Sequence, residues 1–524
     1  MMRGSVFQER MLVRCDGSRF TNSKGYHAER SDGFRYSFRQ NTGIFLPGGV
    51  CREPTLRAQH QNDEQRNQPN ITNFSDATSF GHATLKLMCF LIAVLAFISL
   101  PAAGWEREPL ADFHQRREKL VSEIGDGVIV LFGYDEDHVA ASVTTFHQNE
   151  NFYYLTGWNQ PSAKMLLVPS TNSSGQIAEE ILFLPPRNPQ QERWTGPKLG
   201  PDDPDASALT GFPTVMSSAR FHSELEKALK HFHKIYTELS PQPESGEDCF
   251  QKREVETLRR LAPSATLADL RPFVTRMRMV KTPGEIALIR KAVSASVAGQ
   301  LAAIKAVHPG VWEYQVAALV KYEFENMGCE WPSYPPIIGS GFYSTVLHYD
   351  ADSRQMQEGD MVVMDAAGSY SGYASDITRT LPVDSRFTPR QREIYEIVLG
   401  AQEAAIAAAK PGVYLDRQHK NSLYTLAYNY LNSHGVDRHG HRLGQYFIHG
   451  LGHSVGLNVH DPADYNLPLE PGMVITIEPG LYIPDEKIGV RIEDMLLITQ
   501  NGAEVLTQGL PKNPDEIERM MKKR

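Results

Sequence analysis

At about 100 to 200 residues per domain, the 524 residues correspond to roughly two to four domains, which excludes a small disulfide-stapled module. Hydrophobic residues at 41% and charged residues at 22% are typical of a globular protein and exclude a disordered chain or a multi-span membrane protein. The net charge of -9 argues against a broad basic surface, so we expect no nucleic-acid partner.

The first part of the chain differs from the rest. Residues 1–84 show no sustained apolar period, and we interpret them as disordered or as a mis-assigned start. Residues 85–104 hold an uncharged apolar run, 87–100, followed by small residues. A bilayer span needs about 20 apolar residues, whereas an export signal needs about 7 to 15 and ends in small residues. We therefore expect a signal-peptide-like segment cut before Trp105.

The alternative interpretations of this segment are an uncleaved anchor helix and a buried core helix. If the signal is used, the mature protein is exported, to the periplasm or the medium, and keeps no stable membrane span; otherwise it is cytoplasmic. Cleavage would leave Cys249 and Cys329 as the remaining cysteines. The sequence leaves their pairing open.

Two folded domains are predicted after this segment. Residues 105–245 alternate strand-length apolar runs with helical patterns, which indicates a mixed α/β domain. Residues 242–248 read as a linker, and a second domain follows at 250–515. The predicted strands are 127–132, 164–168 and 180–184, and the predicted helices are 113–124, 223–231, 253–261 and 283–306.

The second domain contains a weak internal repeat. The sequence Pro-Gly-Val at 309–311 precedes a helical pattern that ends near residue 328, and the same triplet at 411–413 precedes one that ends near residue 435. Two helix-plus-sheet halves of about 100 residues each would place a site at their junction. The alternative is that this triplet is only a frequent signal for the start of a helix.

Two pairs of acidic residues carry the clearest chemical signal. Asp365 ends an apolar run, and a hairpin centred between residues 370 and 371 would place Asp376 directly opposite, about 4.5 to 5.5 Å away. Glu478 and Glu493 repeat this arrangement around a turn at 484–487. A single acid of this kind is usually a solvated or salt-bridged strand end, but facing carboxylates repel unless they share a cation. The repetition favours a metal site.

Histidines near these acids affect the choice of metal. Carboxylates suit divalent ions such as manganese, and an added imidazole moves the preference toward transition metals. No G-x-S-x-G elbow or phosphate-binding loop is present, so neither a serine nucleophile nor a nucleotide site is predicted. The candidate imidazoles are His348, His449, His453 and His460.

The chain resembles the pita-bread family of proline-specific metallopeptidases, and within it aminopeptidase P, over nearly all of residues 106–515. In the first domain the resemblance rests on FHQNENFYYLTG at 146–157. In the second it rests on MVKTPGE at 279–285, LHY at 347–349, the stretch 365–380, HGLGH at 449–453, EPG at 478–480 and GVRIED at 489–494. The implied fold class is α/β (α+β): an N-terminal mixed α/β domain, then a pita-bread catalytic domain with a pseudo-twofold repeat.

The resemblance implies two divalent metal ions, with manganese as the expected metal, and a hydroxide that bridges them. Asp376 and Glu493 would bridge both ions, and Glu478 would also act as the general base. The resemblance assigns five metal ligands: Asp365, Asp376, His453, Glu478 and Glu493. It gives His348 and His460 catalytic roles in stabilising the oxyanion and moving protons, and it places His449 and Arg491 in substrate binding, with Arg491 also holding the acidic ligands.

The implied activity is removal of the N-terminal residue from peptides that have proline in second position. The presence of the first domain argues for such a substrate, because methionine aminopeptidases of the same fold lack it. The loop at 193–196 resembles one that reaches a neighbouring subunit, so a homo-oligomer, dimer or tetramer, is expected. Two alternatives stay open: a prolidase, which cleaves only Xaa-Pro dipeptides, and a metal-free binding module.

Overall fold

A computed structural model describes residues 106–136, 146–173, 175–239 and 248–523. The segments predicted as a disordered or mis-assigned start and as an export signal lie outside these residues, as does most of the predicted linker. Within the described ranges, the helix Pro283–Ala306 is long and apolar enough to span a membrane, but half of it is buried inside the protein. Its apolar residues therefore belong to the core.

Helices and strands alternate through both parts of the described chain. The helices are α1 (Leu110–Ile124), α2 (Glu150–Thr156), α3 (Pro189–Thr195), α4 (Ala206–Thr210), α5 (Phe221–Ala228), α6 (Asp248–Leu261), α7 (Arg271–Met279), α8 (Pro283–Ala306), α9 (Glu313–Asn326), α10 (Pro389–Ala408), α11 (Leu423–Ser433) and α12 (Pro514–Lys522). The strands are β1 (Val128–Phe132), β2 (Lys164–Pro169), β3 (Ile177–Leu184), β4 (Thr214–Ser217), β5 (Lys234–Thr237), β6 (Thr266–Asp269), β7 (Trp331–Pro332), β8 (Ile337–Ser340), β9 (Met361–Asp365), β10 (Gly368–Ser369), β11 (Thr378–Pro382), β12 (Val474–Ile477), β13 (Gly480–Ile483), β14 (Ile488–Arg491), β15 (Asp494–Ile498) and β16 (Ala503–Val505).

The N-terminal domain is a six-stranded mixed sheet in the order β4-β3-β2-β1-β5-β6. Strands β1 to β3 pair antiparallel, whereas β4, β5 and β6 join by parallel pairing. Strand β1 is buried along its whole length, because successive side chains enter the cores on opposite faces of the sheet. The three predicted strands and the helices at 113–124 and 223–231 are all found, with bounds shifted by a few residues.

This first sheet extends past the predicted domain boundary at residue 250. Helix α6 leads into β6, and β6 pairs in parallel with β5 of the N-terminal sheet. A helix between two parallel strands is the standard way to add such a strand, because parallel neighbours need a long crossover. A four-residue strand has too little periodicity to be recognised in the sequence, so its membership is decided by the sheet it joins.

The C-terminal domain consists of two halves with the same local structure. Helices α8 and α10 each begin with a capping box, at Thr282 and Thr388, in which the threonine and the third helical residue satisfy each other's backbone N–H groups. Each half then has a Pro-Gly-Val turn before a second helix. This agreement supports the predicted internal repeat.

The two Pro-Gly-Val turns also make matching hydrogen bonds. Gly310 and Gly412 have left-handed φ angles of +90° and +84°, which glycine adopts without steric cost. The N–H of Gly310 donates to the carbonyl of Met356 at 2.8 Å, and that of Gly412 donates to the carbonyl of Leu469 at 2.9 Å. Each turn therefore connects its second helix to the loop that precedes the strands ending in the acidic residues of its own half.

The first acidic hairpin differs from its predicted register. Asp365 was predicted to face Asp376, but it pairs with Thr378 across β9 and β11, so Asp376 lies two residues before the observed partner. The turn is centred between Ser371 and Gly372, which both have positive φ, at 54° and 81°. A tight turn with two left-handed residues fits the twist of a hairpin. Because this turn lies one residue later than predicted, the residue opposite Asp365 moves by two positions.

The second acidic hairpin has the predicted register. Gly480 pairs with Arg491, and Ile477 pairs with Asp494, around the turn Pro484–Glu486. This alignment places Glu478 opposite Glu493, between the β12–β15 and β13–β14 ladders. The prediction that these two acids face each other is confirmed. Cys329, the one cysteine of the predicted mature chain whose side chain is described, is buried and free.

Candidate active site

The catalytic domain encloses a cavity of about 730 Å³. Every site residue predicted from the sequence lines it, although those residues are spread over more than 140 positions. These are His348, Asp365, Asp376, His449, His453, His460, Glu478, Arg491 and Glu493. The structure therefore brings all nine side chains into one site.

The four acidic residues lie where strands end. Asp365 is the last residue of β9, and Asp376 precedes β11. Glu478 follows β12, and Glu493 lies between β14 and β15. Strand ends project side chains from a rigid sheet, so the two hairpins bring two carboxylates each to a common edge.

Tyr334 is a site residue that the sequence analysis missed. Its hydroxyl lies 2.6 Å from Oδ1 of Asp365 and 2.6 Å from Oδ1 of Asp376. Burial, together with the two carboxylates, raises the pKa of Tyr334 well above its ordinary value, so the phenol keeps its proton. A single O–H can donate to only one acceptor at a time. The hydroxyl therefore donates to one of the two aspartates while remaining in contact with the other. No motif marks this tyrosine, since it comes from the loop after β7.

Arg491 contacts the acidic cluster directly. Its Nη2 donates to Oδ2 of Asp365 at 2.6 Å, and its Nη1 donates to the hydroxyl of Tyr482 at 2.9 Å. Tyr482 in turn lies 2.9 Å from Nε2 of His449. The arginine side chain is 4% exposed, so its charge acts in a medium of low polarity. The line from His449 through Tyr482 to Arg491 therefore ends on a predicted metal ligand.

His453 lies between acids of the two hairpins. Its Nε2 is 3.3 Å from Oδ2 of Asp376 and 3.5 Å from Oε1 of Glu478. Burial opposes a charge on this imidazole, but the hydrogen bond to Asp376 and the charge of Glu478 outweigh it and raise the pKa of His453 to about 9. Burial, with Asp376 adding to it, raises the pKa of Glu478 to about 7. Burial and the other acids raise the pKa of Glu493 well above its usual range.

The arrangement of these groups fits a divalent metal ion. Ligand atoms of Asp376, His453 and Glu493 all lie within 4.8 Å of one another. Oε2 of Glu493 accepts a hydrogen bond from Thr378 at 2.7 Å, but its Oε1 is buried and has no hydrogen-bond partner in the described part of the chain. Leaving a buried carboxylate oxygen unpaired costs free energy of folding, and a bound cation would remove that cost.

Two other histidines at the wall of the cavity, His449 and His460, have lowered pKa values. The ring of His460 stacks on that of His453, with centroids 3.9 Å apart and planes 19° apart. The ring of His460 is partly removed from water although the residue keeps an exposed surface, and this, followed by the charge on His453, lowers the pKa of His460. Burial, and then the charge of Arg491, lowers the pKa of His449 to about 4. Neutral imidazoles of this kind both donate and accept hydrogen bonds at neutral pH.

Comparison with known proteins places this site in a family. A family model described as "Metallopeptidase family M24" matches residues 287–500, and one described as "Aminopeptidase P, N-terminal domain" matches residues 113–236. The Xaa-Pro aminopeptidase of Escherichia coli K12 is 34% identical over 438 residues, which are 78% of this chain and 97% of that protein. The chain belongs to the Xaa-Pro aminopeptidase family of M24 metallopeptidases. It is therefore a peptidase that uses a divalent metal ion.

Two other relatives extend the comparison. The structure of Escherichia coli aminopeptidase P with the inhibitor Pro-Leu has a TM-score of 0.69 and 32% identity, and the match covers 80% of this chain and 99% of that one. The Xaa-Pro dipeptidase of Pyrococcus furiosus is 39% identical over 284 residues, which are 53% of this chain and 78% of that protein. The fold of the family, an N-terminal domain followed by a pita-bread catalytic domain, agrees with the fold class predicted from the sequence.

The carboxylate cluster makes a pH-dependent prediction for the metal-free protein. A carboxyl group whose pKa is higher in the folded than in the unfolded state destabilises the folded state as pH rises from the unfolded-state pKa to the folded-state pKa, by up to about 1.4 kcal/mol per pH unit for each proton. Because the pKa of Glu478 is raised from 4.5 to about 7, its contribution should make the melting temperature of metal-free protein fall from about pH 4.5 to pH 7 and level off above pH 7. Deprotonation of His453 acts in the same direction at higher pH, because its pKa is raised from 6.5 to about 9 and the stabilisation is lost as pH rises between these values.

The measurement is thermal unfolding after chelation of metal. Glu478→Gln should flatten the fall, whereas Glu470→Gln, at an acid with a 43% exposed side chain, should leave it unchanged. A wild-type melting temperature that stays constant or rises over this range would contradict the prediction.

Proposed function

We propose that this chain removes the N-terminal residue from peptides whose second residue is proline, and that the acidic cluster is where the bond is cleaved. The observation that carries the proposal is the meeting of five metal-ligand side chains and three further histidines in one cavity. The family membership supports the same activity, since the curated relative from Escherichia coli is a Xaa-Pro aminopeptidase.

The residues that would hold the metal are those predicted from the sequence. The donor set has four carboxylates and one imidazole, which supports two divalent ions and manganese as their identity. When bound, such ions polarise a peptide carbonyl and make water acidic enough to react at neutral pH. The ligands are Asp365, Asp376, His453, Glu478 and Glu493.

Glu478 is suited to act as the general base. A general base must lie within reach of the water that it deprotonates, and Glu478 lines the cavity beside the other acids. Its carboxylate also lies 3.4 Å from the hydroxyl of Thr476 and 3.5 Å from His453, so its orientation is fixed. The proton taken from water would thus be held at the cavity wall, ready for transfer to the leaving group.

The histidines would complete the proton transfers. His460, neutral and stacked on His453, can pass a proton toward the proline nitrogen as that nitrogen leaves. His348 lines the same cavity and can donate a hydrogen bond to the carbonyl oxygen as negative charge develops on it. His449 faces the substrate space, and Arg491 fixes the position of Asp365 behind it.

The second candidate is a prolidase, which would cleave only Xaa-Pro dipeptides. The Pyrococcus furiosus dipeptidase favours it, with 39% identity, but that match covers only 53% of this chain. The distinction depends on how far the cavity stays open beyond the proline. Peptide length is therefore the variable to test.

The activity test compares a Xaa-Pro-Xaa tripeptide with the matching Xaa-Pro dipeptide, using protein from Trp105 onward reconstituted with manganese. We expect two manganese ions per chain by elemental analysis, release of the first residue from the tripeptide, and a loss of about 10²- to 10⁴-fold in kcat in Glu478→Ala, because the general base is removed. Glu470→Ala should retain wild-type activity.

Each other outcome has a distinct meaning. Turnover of the dipeptide alone would identify a prolidase. Activity on neither peptide, with no bound manganese, would favour a metal-free binding module.

We also propose that the chain forms a homo-oligomer through the region around helix α3. Trp194, near the end of this helix, is 91% exposed, an uncommon position for the largest apolar side chain. Light scattering of the purified protein should give the mass of a dimer or tetramer, and Trp194→Ser should shift it toward the monomer. Leu209→Ser, at another exposed apolar residue of the same domain, should not. A monomeric wild type would contradict the proposal.

For localisation, we propose export to the periplasm or the medium. The support is the sequence pattern of residues 85–104, an apolar run of signal-peptide length followed by small residues. Mass spectrometry of the protein from an exporting host should find a mature N-terminus at Trp105 outside the cytoplasm. A cytoplasmic product that retains residues 87–100 would overturn this proposal.

A further inference from the structure

A buried carboxylate closes the loop that carries two histidines of the site. The N–H of Asp461 donates to the carbonyl of Ser454 at 2.9 Å, and Oδ1 of Asp461 accepts from the N–H of Asn458 at 3.2 Å. The Asp461 side chain is 1% exposed. Residues 454–461 therefore form a closed turn, with His453 immediately before it and His460 next to Asp461.

Two buried cations hold this carboxylate. Nη2 of Arg278 donates to Oδ1 of Asp461 at 2.6 Å, and Nζ of Lys281 donates to Oδ2 at 3.2 Å. Lys281 also donates to Oγ of Ser454 at 3.1 Å. Although burial opposes ionisation, the two cations keep the pKa of Asp461 below its usual range. A buried ion cluster contributes only when its geometry is well satisfied, and here both carboxylate oxygens are engaged.

The cluster also joins the loop to the N-terminal domain. Nη1 of Arg278 donates to Oδ1 of Asn151 in helix α2, and its Nη2 donates to Oδ1 of Asn458, both at 2.6 Å. Nδ2 of Asn458 donates to Glu150, also in α2, at 2.9 Å. Arg278 therefore connects the first domain to the loop of residues 454–461. A displacement of either one would move the other.

The loop has little room to adopt another shape. A Cβ atom on Gly456 would lie 2.6 Å from an oxygen of Asp461, which is closer than real contacts allow. The carbonyl of Gly456 accepts from the N–H of Ala374 at 2.8 Å, which fixes the loop against the first acidic hairpin. The backbone of the turn is therefore packed between the ion cluster and the hairpin.

The His460 ring depends on this backbone for its place. Within the described ranges, the His460 ring stacks on the His453 ring and makes no hydrogen bond. His460 is exposed, whereas Asp461 beside it is buried. A ring held by one stack and by the direction of its backbone will move when the adjacent residue moves.

We propose that Asp461, clamped by Arg278 and Lys281, is a positioning residue that sets the His460 ring against His453. The inference rests on the proposed function, in which His460 passes a proton to the leaving proline nitrogen. Asp461 itself does not line the cavity. Its effect on catalysis therefore runs through His460.

The test is a double-mutant cycle on the manganese-reconstituted enzyme with the Xaa-Pro-Xaa tripeptide. Asp461→Asn keeps the shape but removes the charge that both cations bind, and it should lower kcat about 10- to 100-fold with KM changed by less than about 3-fold. In the His460→Ala background, Asp461→Asn should lower kcat by less than about a further 2-fold. Effects that multiply fully would overturn the proposal, because Asp461 would then act independently of His460.

A second variant covers the case in which Asp461→Asn does not fold. Arg278→Lys keeps the charge but cannot reach Asp461, Asn458 and Asn151 together, so the same dependence on His460 is expected with a smaller loss. The matched control is Glu180→Gln, which breaks a buried pair with Arg117 at 2.8 Å in the N-terminal domain. It should lower the melting temperature and leave kcat unchanged; a kcat loss as large as that of Asp461→Asn would indicate general destabilisation and overturn the inference.

A structural readout separates this inference from the activity. In crystals of metal-free wild type and of Asp461→Asn, the His460 ring should shift by about 1 Å or more relative to His453, a displacement that can cost about 100-fold in rate. If wild type fails to cleave the tripeptide, the proposed function fails but the ring shift still tests the positioning role. An unmoved ring would overturn the positioning role even in an active enzyme.

Discussion

The mutual repulsion of four carboxylates in one cavity, three of them buried and Glu478 partly buried, is the constraint on which the rest of this structure depends. Asp365, Asp376, Glu478 and Glu493 share one cavity, where charges interact far more strongly than in water. The protein offsets part of this cost with Arg491 on one aspartate and His453 between the two hairpins. The remaining deficit appears as raised pKa values of Glu478 and Glu493, and as an unpaired oxygen on Glu493. The same uncompensated negative charge favours the binding of divalent cations at this site.

The two hairpins hold the four carboxylates together against this repulsion. The acids are placed at strand ends of two hairpins, one from each half of an internal repeat, so rigid sheets rather than flexible loops oppose their separation. Tyr334 adds a hydroxyl shared by two aspartates, and Arg491 connects the cluster to Tyr482 and His449. His449 and the acidic cluster are consequently connected by one chain of hydrogen bonds.

A second layer of buried charge lies behind the histidine loop. Arg278 and Lys281 converge on Asp461, and Arg278 also contacts Asn151 in the N-terminal domain. In this layer both oxygens of the buried carboxylate are engaged by opposite charges, whereas the acidic cluster keeps an unpaired oxygen on Glu493. The arrangement gives the N-terminal domain a direct mechanical connection to the loop between His453 and His460.

The candidate site residues and much of the local structure could be predicted from the sequence alone. Acids at the ends of apolar runs predicted the hairpins, and the facing of Glu478 and Glu493 follows from a symmetric turn, so both could be read from spacing. The exact pairing of Asp365 could not, because left-handed residues at Ser371 and Gly372 moved the turn by one position. Tyr334, the N-terminal connection of Arg278 and the extra strand Thr266–Asp269 were decided only by tertiary structure. Their partners lie from about 30 to well over 100 residues away, and contacts between distant segments leave no local periodicity in a sequence.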